Sequence, residues 1–173
     1  MSNGSEFSLT TFSPKGNLVQ IDYALNAVAK SQVSLGIKAK NGVVIASEKK
    51  IPSPLVDESS MNKIQLLTRN IGTSYAGLVP DFRVLTRRGQ KEGQKYYLQY
   101  KEDMPVSQLV REVASVMQEF TQSGGVRPFG VSLLIAGYDD DGPQLYQVGS
   151  ASARAHSLTN GSSFLFCCCV VLV

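Results

Sequence analysis

The stretch TTFSPKGNLVQIDYALNAV, residues Thr10 to Val28, sets a turn and an amphipathic run ahead of the first β-rich segment. Pro14 and Gly16 rule out helix upstream and suit a turn. From Asn17 onward, Leu18, Ile21, Ala24, Leu25 and Val28 recur at helical spacing, while Asn17, Gln20, Asp22 and Asn26 fall largely on the other side. A turn followed by a helix is therefore expected at this point, before any strand.

Two β-rich runs follow. Val33 to Ala39 alternates, with Val33, Leu35, Ile37 and Ala39 on one face and Ser34, Gly36 and Lys38 on the other. Asn41-Gly42 then leads into Val43–Ser47, which predicts a hairpin with a type I′ turn, positive in φ at both central residues. Pro52, Pro54 and the polar stretch to Asn62 read as a loop, and Lys63–Leu67 and Ile71–Ala76 as short strands. Asp81–Gln99 is a helix candidate with Phe82, Leu85 and Tyr96 available for burial. After Met104-Pro105, Ser107 suits an N-cap, and Leu109, Val113, Val116, Met117 and Phe120 form an apolar stripe. Gly130–Gly137 is apolar on both faces apart from Ser132 and reads as a central strand. Asp139–Pro143 turns and Gln144–Val148 returns. The order is helix, four strands, two helices, two strands, which predicts an α+β layered fold.

Length and composition bound the function. A chain of 173 residues favours one domain with a substantial core. With 43% hydrophobic and 18% charged residues it is an ordinary globular chain, and a net charge of +3 demands neither nucleic acid nor an acidic membrane as partner. Met1–Leu9 lacks the basic and apolar regions of a signal peptide, and no run reaches the roughly 20 apolar residues of a spanning helix. The three cysteines are adjacent, Cys167, Cys168 and Cys169, and the single histidine is His156. This pattern excludes a disulfide framework and disfavours zinc, so a reducing compartment and no metal or other cofactor are expected.

Four segments now carry a resemblance. FSPKGNLVQIDYALNAV resembles the N-terminal signature of α-type subunits of the 20S proteasome. SLGIKAKNGVVIASEKK, MNKIQLLTRNIGTSYAGLVPDFRVL and TQSGGVRPFGVSLLIAGYD are similar to the same family in the same order. Ordered blocks are far more specific than one short motif. The resemblance runs from Phe7 to Val148. It implies an N-terminal-nucleophile hydrolase fold, an αββα sandwich, expected here to be incomplete with the family's C-terminal strands and helices missing. It also implies a place in a seven-member α ring, with neighbouring α subunits and a proteolytic β ring as partners, in the cytoplasm and nucleus. In that family the first helix is retained across the cleft end of the sandwich. Leu18, Ile21, Leu25 and Val28 would then face the sheets, and Tyr23 would brace the turn at Pro14.

The resemblance also says where chemistry would be. Active relatives use a Thr at the mature N-terminus, whose α-amine serves as base. The corresponding place ahead of Leu35 reads Lys30-Ser31-Gln32-Val33-Ser34, without Thr. Lys63 matches the activating Lys and Glu48 its carboxylate partner, but a base and a charge partner without a nucleophile make no acyl enzyme. Ser31 or Ser34 would become terminal only by cleavage. The expectation is a non-catalytic subunit, against an autonomous N-terminal-nucleophile hydrolase. In α subunits the Lys63 position lines a pocket between neighbours that receives the C-terminal carboxylate of regulatory ATPases and other activators, a task suited to a compact ammonium. Pro14 and Tyr23 match a cluster supporting the open pore. Ser5-Glu6 stands where an aromatic residue is usual in the tail.

Three features compete with these. Arg83, Arg87, Lys91 and Lys95 form one helical stripe, read as a solvated face or neighbour contact rather than a nucleic-acid site. Asp139-Asp140-Asp141-Gly142 lacks the alternate spacing of a calcium loop and reads as a hairpin turn. After Tyr146-Gln147-Val148 the family pattern is lost: GSASARAHSLTNGSS is small and polar, and FLFCCCVVLV is apolar. The expected division is a family domain over 1–148 and a non-family tail over 149–173, arising from a frameshift, intron read-through or alternative exon. A truncated chain of this kind is expected to fold with weak cooperativity and could be a non-functional product.

Overall fold

A computed structural model describes residues 12–51 and 53–149 with their side chains, and the backbone of 152–157, 163–166 and 170–172. Helix α1 (Val19–Ala29) precedes strands β1 (Ser34–Lys38), β2 (Val43–Ser47), β3 (Ile64–Leu66) and β4 (Ile71–Gly77). Helices α2 (Val79–Tyr100) and α3 (Val106–Gln122) follow, then β5 (Val131–Asp139) and β6 (Gly142–Gly149). Three further strands, β7 (Ser152–Ser157), β8 (Ser163–Phe166) and β9 (Val170–Leu172), lie in the stretch read from sequence as a small, polar segment followed by an apolar run, where no strand is expected.

The strands form two antiparallel sheets, ordered β3-β4-β5-β6-β7 and β2-β1-β8-β9. Strand β5 is central and faces both ways. Val131, Leu133 and Ile135 join the helix-side core with Phe82, Leu85, Leu109 and Met117, whereas Leu134 and Ala136 meet Leu145, Val43 and Ile45 of the sheet–sheet interface. The described residues therefore stack helix layer, sheet, sheet, three of the four layers of an N-terminal-nucleophile hydrolase sandwich. Helix α3 shows why the stripe predicts burial: Leu109, Val113 and Met117 repeat every four residues and are all buried. Gly89 and Gly93 let α2 lie on the β3–β4 turn. A Cβ at Gly93 would come within 2.6 Å of Thr68 Cγ2.

Several local expectations are corrected. Helix α1 begins at Val19 with Leu18 as its N-cap, and its buried residue is Ala24; Leu25 is 44% exposed and does not face the sheets. A helix lying against the close ends of β4 and β5 admits a small side chain, and the Cβ of Ala27 approaches Gly130 there. The β1–β2 hairpin forms, with Lys38 opposite Val43, but neither Asn41 nor Gly42 has positive φ. Ala39 N–H donates to Gly42 O at 2.9 Å, so the hairpin closes over Lys40 and Asn41, neither of which takes the positive φ of a type I′ turn. Helix α3 starts at Val106 with Pro105 at the N-cap, so Ser107 lies inside the first turn. The cap comes from across the fold: the Val106 N–H donates to Asp139 Oδ2 at 3.3 Å, which satisfies one of the orphan donors.

Candidate functional site

Lys63 stands just ahead of β3, and its Nζ lies 5.5 Å from the centroid of the Tyr75 ring. Tyr75 stacks on Phe82 of α2, with ring centroids 4.1 Å apart and planes 21° from parallel. Burial pushes the Lys63 ammonium below the ordinary lysine pKa, and the Glu48 carboxylate opposes that by attraction. Burial likewise pushes the Tyr75 phenol up, with Arg83 opposing. Glu48 thus acts on Lys63, and the fold adds an aromatic wall and a nearby Arg83.

The place ahead of β1 is peptide-bonded chain. Helix α1 ends at Ala29 with Lys30 as its C-cap, and Ser31 N–H donates to Val28 O at 3.0 Å before β1 opens at Ser34. The Ser31 hydroxyl donates to Val28 O at 2.7 Å. Ser34 is 1% exposed, and its hydroxyl donates to Tyr75 O at 2.7 Å. Ser34 Oγ also lies 3.0 Å from Ser47 Oγ and accepts from Ser74 Oγ at 3.2 Å. These serines lock the two sheets together. A hydroxyl so enclosed has no path to a peptide carbonyl, which must come within hydrogen-bond reach for attack.

The turn at Pro14 is well defined. Gly16 N–H donates to Ser13 O, Ser13 N–H donates to Asn17 O, both at 2.8 Å, and Asn17 N–H donates to Ser13 Oγ at 3.1 Å. Gly16 has φ +83°, the left-handed region that favours glycine. Pro14 is exposed on this turn and Tyr23 is 53% exposed on α1, so both belong to the surface of the single chain. Ser5 and Glu6 of the tail lie outside the described residues, as do the side chains of His156 and Cys167–Cys169.

The basic stripe lies on the open face of α2: Arg83, Arg87, Lys91 and Lys95 are all exposed. Lys95 Nζ pairs with Glu92 at 3.2 Å. Arg87 and Lys91 line a groove of about 380 Å³ between α2 and α3 that also holds Glu92 and Glu112, so its charge is mixed. Asp139–Asp141 make the β5–β6 turn, closed by Gly142 at φ +94°. Among the described residues no three His, Cys, Asp or Glu side chains converge to hold a metal ion. No helix among them is long and apolar enough to cross a membrane.

One ion pair escapes sequence reading. Asp81, in the first turn of α2, accepts from Arg127 Nη1 at 2.7 Å and Nη2 at 2.8 Å, and from Gly130 N–H at 2.9 Å. Forty-six residues separate the partners, and no local spacing signals such a pair; an acidic residue in a helix's first turn is the one hint. The clamp fixes the start of α2, which carries Phe82 and hence the wall behind Lys63.

Two family models match. The N-terminal signature of α-type proteasome subunits covers residues 6–27, and the general proteasome subunit model covers residues 28–159. The chain belongs to the α-type proteasome subunit family. The second match continues past Val148, where the four-segment resemblance ends. This proteasome subunit is 67% identical over 167 residues to proteasome subunit alpha type-2 of Oryza sativa subsp. japonica, covering 92% of this chain and 71% of that one. It is 64% identical over 173 residues to the Dictyostelium discoideum type-2 subunit, covering 95% and 74%. Against the Drosophila melanogaster type-2 subunit identity is 53% over 167 residues, covering 92% and 71%. The segments SLTTFSP and TQSGGVRPFGVSLLIAGYD are where the sequence most resembles eukaryotic α type 2 subunits, and the relatives bear that likeness out.

Proposed function

We propose that this proteasome subunit is a non-catalytic member of the α ring of the 20S core, serving protein degradation as scaffold, gate support and docking point. The observation that carries the reading is the unbroken chain from α1 into β1. Lys30-Ser31-Gln32-Val33 links the two, with neither a free α-amine nor a Thr beside Lys63 and Glu48. The chemistry of active relatives needs both groups at that point. Its partners are neighbouring α subunits and the β ring, in the cytoplasm and nucleus. In this reading Lys63 receives the C-terminal carboxylate of regulatory ATPases or other activators, and Pro14 and Tyr23 support the pore. The partly desolvated ammonium favours this role, because a cation with little water around it gains more from an incoming carboxylate.

Co-expression with the other α and β subunits, followed by native mass spectrometry, tests the scaffold role; the expected result is incorporation of the full chain into the large particle. In that particle Lys63→Met should leave assembly intact and abolish stimulation by peptides with a free C-terminal carboxylate. Cleavage of fluorogenic peptides by the pure chain, sensitive to active-site inhibitors, would overturn the non-catalytic reading.

A further inference from the structure

We infer that Tyr75 is a positioning residue for Lys63, its ring seating the ammonium where an incoming carboxylate would meet it. The carboxylate half of this inference rests on the docking role proposed above; the contact between ring and ammonium does not. A lysine side chain is a point charge on a flexible four-carbon stem, so a free ammonium sweeps a wide arc and loses entropy on binding. Lys63 Nζ stands 5.5 Å from the Tyr75 centroid, within the range where a ring quadrupole attracts a cation.

The ring is a fixed platform. Tyr75 is 4% exposed and its stacking partner Phe82 is 1% exposed. Its backbone carbonyl accepts the Ser34 hydroxyl of the opposite sheet. One residue therefore connects β1, α2 and the ammonium. Glu48 attracts Lys63 from the other strand pair, and an ammonium with three donors keeps capacity for a further acceptor. A ring beneath Nζ limits the directions from which that acceptor can arrive.

The test uses the full chain with 13Cε-labelled lysine, the Lys63 signal being assigned by loss in Lys63→Arg. The probe is a fluorescent hexapeptide with a free C-terminal carboxylate, bound to the assembled particle in which a neighbouring subunit completes the pocket, with its C-terminal amide as control. Tyr75→Met should weaken the peptide about three-fold and lower the Lys63 titration midpoint by about half a unit, the size of one cation–π contact. Tyr75→Phe should leave both at the wild-type value. Pentafluorophenylalanine at position 75 reverses the quadrupole at nearly constant volume, so it decides the matter if the Met variant fails to fold. An unchanged Lys63 midpoint in the pentafluorophenylalanine protein would overturn the positioning role. Unchanged peptide affinity in Lys63→Met would instead sink the docking role, with the titration still deciding on the ring.

Discussion

Replacing Asp81 removes the bond that pins α2 to the segment leading into β5. The carboxylate is 8% exposed and accepts three N–H donors, two from Arg127 and one from Gly130. Asp81→Asn keeps an oxygen for the Gly130 N–H and loses the charge. A hydrogen bond to a charged group contributes about 1.5–3 kcal/mol. Arg127 is 60% exposed and regains water, which lowers the expected loss to about 1–2 kcal/mol. Asp81→Ala also strands the buried Gly130 N–H, so its loss should reach about 3 kcal/mol. Urea unfolding followed by circular dichroism measures both, and a cycle with Arg127→Met isolates the coupling. The pH dependence is equally specific. Burial alone would raise the Asp81 pKa, but the Arg127 bonds, the Gly130 N–H and the guanidinium charge hold it below the ordinary aspartate value of 3.8. The folded pKa is thus lower than the unfolded one, so this stabilisation is complete above the unfolded value and fades as pH falls through the folded value. Asp81→Asn should therefore flatten the acid limb of the stability curve below about pH 4. A coupling under about 0.3 kcal/mol, with an unchanged acid limb, would refute the clamp as a stabilising element.

Other perturbations follow from the packing. Gly77→Ala should cost on the order of 3 kcal/mol or more: Gly77 has φ +128° and a Cβ there would lie 2.2 Å from Gly130 O. Loss of soluble protein or a much lower urea midpoint would show it. Leu109→Ala, at a fully buried site in the α3 stripe, should lower stability by about 2–5 kcal/mol with little change in the denaturant slope. Ser34→Ala removes the donor to Tyr75 O and the acceptor of the buried Ser74 hydroxyl and should cost about 1–3 kcal/mol. A neutral effect in the same unfolding assay would show that water replaces the hydroxyl.

Legibility followed the range of the interaction. The α3 stripe, the two-faced β5 and the β5–β6 turn depend on residues within a few positions of one another, and periodicity exposes them. The features that periodicity does not expose are made by residues far apart in sequence. Leu25 obeys the helical spacing of α1 and is still exposed, because which part of the stripe is covered depends on how α1 lies against β4 and β5, and there Ala24 is the buried residue. Ser107 is a good cap residue in the wrong place, because Asp139, thirty-three residues away, reaches the Val106 N–H instead. Alternation in β1 correctly separates Ser34 and Gly36 from Leu35 and Ile37, yet the small polar face is the one turned inward. A Cβ on Gly36 would touch Leu145 at 3.2 Å, and the Ser34 hydroxyl spans the sheets. The sheets approach too closely for Leu or Ile between them at that point. The same rule governs the candidate site. Lys63 was visible through family resemblance, and Glu48 with it, whereas Tyr75, Phe82 and Asp81 were not, because their relation to Lys63 exists only once α2 has docked. A site assembled this way depends on the helix anchor as much as on the charged side chain. Loosening Asp81 should therefore disturb the setting of Lys63 as well as the stability of the fold.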